Sequence, residues 1–259
     1  MTTLFGWTGG LLAALFVLTW VVSLPLRNAS IADVVWGPAF VVVAWASVLL
    51  VRPWESVGGA AWLVLPVLTT LWGGRLALHI GGRNLGKGED PRYARWREEG
   101  GRSWPLRSLF TVFLLQGAIL WVVSLPLQTG ALGAPAPGWL LAGVILFAAG
   151  FILESVADAQ LARFRRDPAS RGQVLDTGVW RYSRHPNYFG DAVVWWGLWL
   201  AGGAAVGAWW TVVSPILMTI LLRWVSGVAL LERSLAASRP GYTDYMRRTS
   251  PFIPLPPKR

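Results

Sequence analysis

The ten residues from Tyr182 to Asp191 read Tyr-Ser-Arg-His-Pro-Asn-Tyr-Phe-Gly-Asp and concentrate most of the side-chain types that can bind or activate a small molecule. They run straight into an apolar stretch rich in tryptophan. Polar groups this dense beside a hydrophobic segment are costly unless something pairs with them, and a phosphorylated or charged ligand is a suitable partner. Upstream, Glu154, Asp158 and Arg165 recur at spacings of four and seven, which is one face of a helix. A pocket lined by Arg83, Arg165, Arg184 and tail residues suits a pyrophosphate or a 2′-phosphate, because arginine forks onto phosphate and keeps its charge. Glu154, Asp158 and Asn187 suit ribose hydroxyls and an amide. Tyr182, Tyr188 and Tyr242 offer rings for stacking or hydroxyls for donation.

Further ionisable groups stand near apolar stretches, where they are expensive and mark function or helix-end ion pairs. Asp33 opens the second such stretch. Arg75 and His79 share a face of the third, four residues apart. Arg223 lies inside the last, with Glu232 just beyond it. Several chemistries are absent. There is no Rossmann fingerprint, Walker A sequence or zinc-protease helix motif, so a nucleotide must be held by side chains between helices. Ser183 and His185 lie close in sequence, but no orienting acid accompanies them, which argues against a hydrolase. With no cysteine and two histidines, no metal centre is expected.

These groups must be positioned by membrane helices. The 259 residues are 54% hydrophobic and only 14% charged, with 18 tryptophans and 29 glycines, far from a soluble composition. Hydropathy predicts an all-α polytopic bundle of about seven spans, roughly 4–25, 32–51, 60–80, 108–127, 136–157, 190–207 and 209–230. One integral membrane domain, 1–259, is expected, with the signature-bearing half at about 150–259. The net charge is +10, with the cations gathered in segments 81–107, 158–189 and 232–259. The positive-inside rule puts these three in the cytoplasm and the N-terminus on the other side. An integral membrane protein, of a bacterial inner membrane with its site facing the cytoplasm, follows as the expectation. The basic segments suit anionic headgroups, and no nucleic-acid-reading motif accompanies the charge.

The run Asp176-Thr-Gly-Val-Trp-Arg-Tyr-Ser-Arg-His-Pro-Asn-Tyr-Phe-Gly-Asp resembles the C-terminal signature of the steroid 5-alpha-reductase superfamily, especially its branch catalogued as DUF1295. The resemblance extends through Glu154, Asp158 and Arg165 and through Arg239-Pro-Gly-Tyr-Thr-Asp-Tyr to Thr249-Ser-Pro-Phe-Ile-Pro. About 110 residues carry it. It implies a nicotinamide cofactor, NADPH, bound from the cytoplasmic side. It also implies hydride transfer to an activated carbon–carbon double bond of a lipid or steroid-like substrate. By the same resemblance Asn187 contacts the nicotinamide amide, Asp191 stands at a carboxylate position, and Asp158, Arg165 and Tyr182 match cofactor-binding positions. Glu154 stands where asparagine is common. The Gln-Glu pair and the tyrosine that flank a steroid carbonyl in the eukaryotic enzymes have no counterparts in the second and third spans.

Arg184-His185-Pro186, Glu232-Arg-Ser-Leu235, Tyr242-Thr-Asp-Tyr245 and Ile253-Pro254 are also similar to membrane methyltransferases of the isoprenylcysteine type, whose cofactor is S-adenosylmethionine, while Asn187 and Asp191 favour the reductases. Those enzymes usually have a second glutamate where this chain has Leu231. A non-enzymatic lipid-binding membrane protein is the third reading. For the reductase, Asp33, Tyr182 and His185 are the candidate catalytic residues. A carboxyl withdrawn from water favours its protonated form, which makes Asp33 the candidate donor. The expected partners are membrane lipids and a lipid substrate, without an obligate protein partner.

Overall fold

The computed structural model describes residues 1–51, 60–84, 86–225, 228, 232, 235 and 239–258. Leu231, Arg233, Ser234 and Arg259, which enter the charge and motif readings above, lie outside the described residues. The described backbone is helical, without strands. The principal helices are α1 (Thr2–Leu26), α2 (Ile31–Val51), α3 (Val64–Asn84), α4 (Pro91–Gly100), α5 (Trp104–Ser108), α6 (Leu115–Val123), α7 (Leu125–Gly130), α8 (Pro137–Arg166), α9 (Pro186–Ala201), α10 (Val213–Ile220) and α11 (Tyr242–Arg248).

Among the described residues, six helical runs are long and apolar enough to cross a membrane: Thr2–Leu26, Ile31–Val51, Ala61–Asn84, Pro91–Val123, Pro137–Arg166 and Pro186–Val206. Trp209–Val225 is a shorter apolar run at the position of the expected seventh span. Much of the first basic segment is helical. Asp90 caps α4 by accepting the Arg92 N–H, Pro91 stands in the first turn, and the chain continues through a π turn at Leu109–Leu114 into α6. Hydropathy missed this stretch because α4 is amphipathic, with Tyr93 buried and Arg95 and Trp96 exposed.

The chain packs as two compact units. The first comprises Met1–Trp139 and Ala201–Thr211; the second comprises Leu140–Leu200 and Val212–Arg259. In the first, α2 and α3 cross through Gly37 and Gly73. A Cβ on Gly37 would stand 2.4 Å from the Gly73 carbonyl oxygen, so the two backbones touch, as small residues permit in membrane helix pairs. Phe16, Phe40, Trp72, Phe113 and Leu120 are fully buried in this unit.

One polar network is buried in that unit. The Thr8 hydroxyl donates to Gln128 Oε1 at 2.6 Å, and Gln128 Nε2 donates to Ser124 Oγ at 2.9 Å. All three side chains are fully buried. Replacing Gln128 with leucine is expected to cost about 0.6 kcal/mol and at most about 1.7, the range for interhelical hydrogen bonds in membranes. The loss is small because both hydroxyls keep main-chain acceptors, Leu4 O for Thr8 and Trp121 O for Ser124. Unfolding in a denaturing-detergent titration measures it, and a loss above about 3 kcal/mol would contradict this accounting.

Candidate functional site

The second unit is organised by the crossing of α8 and α9. A Cβ on Gly190 would lie 2.6 Å from the Glu154 amide nitrogen, and one on Gly197 would lie 2.4 Å from that of Phe147. With backbones this close, polar side chains at the same ends of the two helices are forced together. Asn187 Nδ2 donates to Asp158 Oδ1 at 3.1 Å. Glu154, one turn earlier on the same face, is 3% exposed and Asp158 7%. Asn187 Oδ1 is buried and has no hydrogen-bond partner among the described residues. Asp191, one turn further along α9, is half-buried.

The segment between the helices is fastened to the end of α8. Gln160 Oε1 accepts the Val179 N–H at 3.1 Å, and the Trp180 indole N–H donates to Ala157 O at 3.1 Å. Gly178 adopts φ +60, and a Cβ there would collide with the Gln160 amide. Pro186 opens α9 in the first turn, where its missing N–H costs nothing.

The signature residues also hold the C-terminal tail. Arg184 is 7% exposed. Its Nε donates to Glu232 Oε1 at 2.7 Å, and its Nη1 donates to Met246 O at 2.6 Å and Thr249 O at 3.1 Å. The Arg184 N–H donates to Ser250 O, and the Leu255 N–H donates to Tyr182 O. The Ser183 hydroxyl donates to Phe252 O at 2.7 Å and accepts the His185 N–H at 3.1 Å, so it is engaged with main chain on both sides. The Tyr245 hydroxyl donates to Trp180 O.

His185 stacks on Tyr188 at 5.6 Å between ring centroids. Its Nε2 stands 3.4 Å from Glu232 Oε1 without forming a hydrogen bond. Burial pushes the His185 imidazole below its ordinary value, more strongly than the Glu232 carboxylate raises it. Burial alone would raise Glu232, but the contacts from His185 and Arg184 outweigh it and hold the carboxyl below its ordinary value. The Tyr242 hydroxyl is buried without a hydrogen-bond partner among the described residues. Burial, and then the Glu232 charge, push it up to about 12.

Arg165 is exposed and shares a cleft of about 100 Å³ with Phe164, Asp167, Ser170, Arg171 and Arg239. Arg239 Nη1 reaches back to Gln173 O. Tyr182 is 46% exposed.

Of the sequence candidates, Asp33 and Arg83 belong to the first unit and the others to the second. Arg83 is exposed, with Nε donating to Asn84 Oδ1. Asp33 is the centre of its own cluster. It accepts the Tyr93 hydroxyl at 2.7 Å and pairs with Arg92 at 3.3 Å, while Gln116 Nε2 donates to the Tyr93 oxygen at 3.3 Å. Sequence reasoning missed Tyr93, Gln116 and Gln160, and left Glu232 outside the site. Tyr93 was hidden in the basic segment, although its place two residues into a Pro-started helix was a usable signal.

Residues 19–249 match the family model described as "Protein of unknown function (DUF1295)". The chain is also similar to the uncharacterized protein C594.04c of Schizosaccharomyces pombe. The two are 25% identical over 91% of this chain and 75% of that protein. No solved structure matches the chain.

Proposed function

The chain belongs to the DUF1295 family, and we propose that it is an NADPH-dependent membrane reductase acting on an activated carbon–carbon double bond of a lipid or steroid-like substrate. The observation that carries this reading is Asn187. Its amide nitrogen is tied to the Asp158 carboxylate while its buried carbonyl oxygen has no hydrogen-bond partner in the described structure. A side-chain carbonyl held in this way is suited to accept the carboxamide N–H of a nicotinamide. Buried polar atoms rarely go without partners, and a ligand is one explanation.

NADPH supplies a hydride to the substrate when bound. Asn187 fixes the nicotinamide ring, and orientation at contact distance is most of what the protein must provide. Asp191 and Glu154 flank this position with further polar groups. The cleft of Arg165, Arg171 and Arg239 receives phosphate, with Ser170 as an additional donor. The reduced double bond also needs a proton, which a general acid must supply. The basic segments orient the cofactor side toward the cytoplasm.

A second reading, an S-adenosylmethionine-dependent methyltransferase, is favoured by one observation: Glu232, Arg184 and His185, which belong to motifs shared with those enzymes, form a single cluster. The two are separated by titrating detergent-purified protein with each cofactor. Asn187→Ala and Asp158→Ala are expected to weaken NADPH binding at least about tenfold, the scale of one lost buried hydrogen bond to a polar partner. Parental affinity in both variants would remove the assignment. Thermal stabilisation by S-adenosylmethionine alone would overturn the reductase.

A further inference from the structure

The tail of the second unit presents an apolar row outside the candidate spans. Its exposure alternates along the chain. Phe252 is 7% exposed, Ile253 56% and Leu255 53%, with Pro254 half-buried between the last two. Side chains of an extended chain point alternately to opposite sides, so Ile253 and Leu255 share the outer one. The Leu255 N–H donates to Tyr182 O, which brings the exposed Tyr182 to the same edge. Exposed apolar side chains gathered in this way mark a contact surface.

Phe252 sets the depth of the row. Its ring meets Phe189 edge to face at 5.6 Å and packs in one cluster with Ala192. Both residues lie in the first two turns of α9, which opens the candidate span Pro186–Val206. Ala192 is six residues beyond Pro186, a rise of about 9 Å. The outer side chains on either side of Phe252 therefore stand near the level where α9 enters the membrane. Two cations border them. Arg181 precedes Tyr182, and Lys258 follows Leu255 by three residues. Both are exposed, and neither forms an ion pair among the described residues.

We propose that Tyr182, Ile253 and Leu255 are a membrane-surface contact, with Arg181 and Lys258 on the headgroup phosphates of anionic lipids. Aliphatic side chains dip into the boundary between headgroups and acyl chains, tyrosine is favoured at that level, and neighbouring cations attract anionic lipid. The contact fixes the signature run at the bilayer surface, because the tail is bonded to it at both Tyr182 and Arg184. It is independent of which cofactor the chain binds.

The chain has no cysteine, so single cysteines label cleanly. Ile253→Cys and Leu255→Cys, each at an exposed position, would carry a bimane fluorophore in nanodiscs of mixed neutral and anionic phospholipid. Ala169→Cys, on an exposed turn beyond α8, is the control. At 253 and 255 the emission is expected to shift to the blue of the control. It should lose most of its intensity to a lipid bearing a nitroxide near the glycerol and resist aqueous iodide. A nitroxide on an anionic lipid should quench better than one on a neutral lipid, by up to about fivefold per cation. Arg181→Gln/Lys258→Gln should erase that preference. Ready iodide quenching at 253 and 255, with nitroxide lipid no more effective than at 169, overturns the contact. Protection from both quenchers shows that protein covers the row and overturns it as well. Lipid quenching without an anionic preference keeps the apolar contact and overturns the role of the two cations.

Discussion

Gly190→Ala is expected to destabilise the protein and to abolish the proposed nucleotide site, although alanine is the better helix former. On propensity alone the substitution would gain about 0.8–1.0 kcal/mol. The added methyl, however, would stand 2.6 Å from the Glu154 amide nitrogen and 2.9 Å from its Cα. Those are backbone atoms, which cannot rotate away, so α8 and α9 must separate. Overpacking of this kind costs about 1–3 kcal/mol, which exceeds the propensity gain. Asn187 lies one turn before Gly190, and the separation draws it from Asp158. Gly10→Ala on α1 is the control, because nothing lies within 4 Å of a Cβ there. It should be neutral or stabilising. The measurement is thermal unfolding in detergent paired with NADPH titration. A stabilised Gly190→Ala variant with parental affinity would refute the close crossing.

Arg184→Ala is expected to release the C-terminal tail. The guanidinium joins Glu232 to the carbonyls of Met246 and Thr249. Its loss leaves Glu232, 14% exposed, beside a neutral histidine. Breaking a buried ion pair by removing one partner costs about 3–5 kcal/mol. Lysine cannot restore the fork of three bonds, so Arg184→Lys should fail as well. Removing the carboxylate charge too, in Arg184→Ala/Glu232→Gln, should recover part of the loss. By contrast Arg247→Ala breaks only an exposed pair with Asp244 and should change little. Limited proteolysis with mass analysis reads the outcome: cleavage beyond residue 239 in Arg184→Ala and none in Arg247→Ala. Equal resistance in both would show that the tail is held without the Arg184 side chain, by its main-chain bonds to Tyr182 and Arg184 and by the Ser183 and Tyr245 hydroxyls.

The same arginine shows what a local reading of sequence leaves out. Arg184 stands in a basic segment beside a histidine and an asparagine, which suggested a phosphate ligand. In the folded chain its Nε and Nη1 serve a carboxylate and two carbonyls of residues 48 to 65 positions away. No local pattern encodes those partners. Asp33 is a similar case. It was legible as an expensive carboxylate at the start of a span, but its partner Tyr93 lies 60 residues on, in a helix that hydropathy left as a loop.

The long apolar spans and the helical class were legible because hydrocarbon requires every backbone polar group to be satisfied within its own segment. The shared face of Glu154 and Asp158 followed from helix geometry alone. The family resemblance was equally local, since it rests on contiguous motifs. Pairing between helices was not legible, because lipid-facing and helix-facing apolar residues look alike in composition. By itself, the sequence determined the membrane helices, the positions where polarity is costly and the family of the chain. Only the tertiary structure decided that glycines bring α8 against α9, that Asn187 meets Asp158, and that the signature run binds the tail. Such contacts join residues distant in the chain and depend on shapes that no single segment contains.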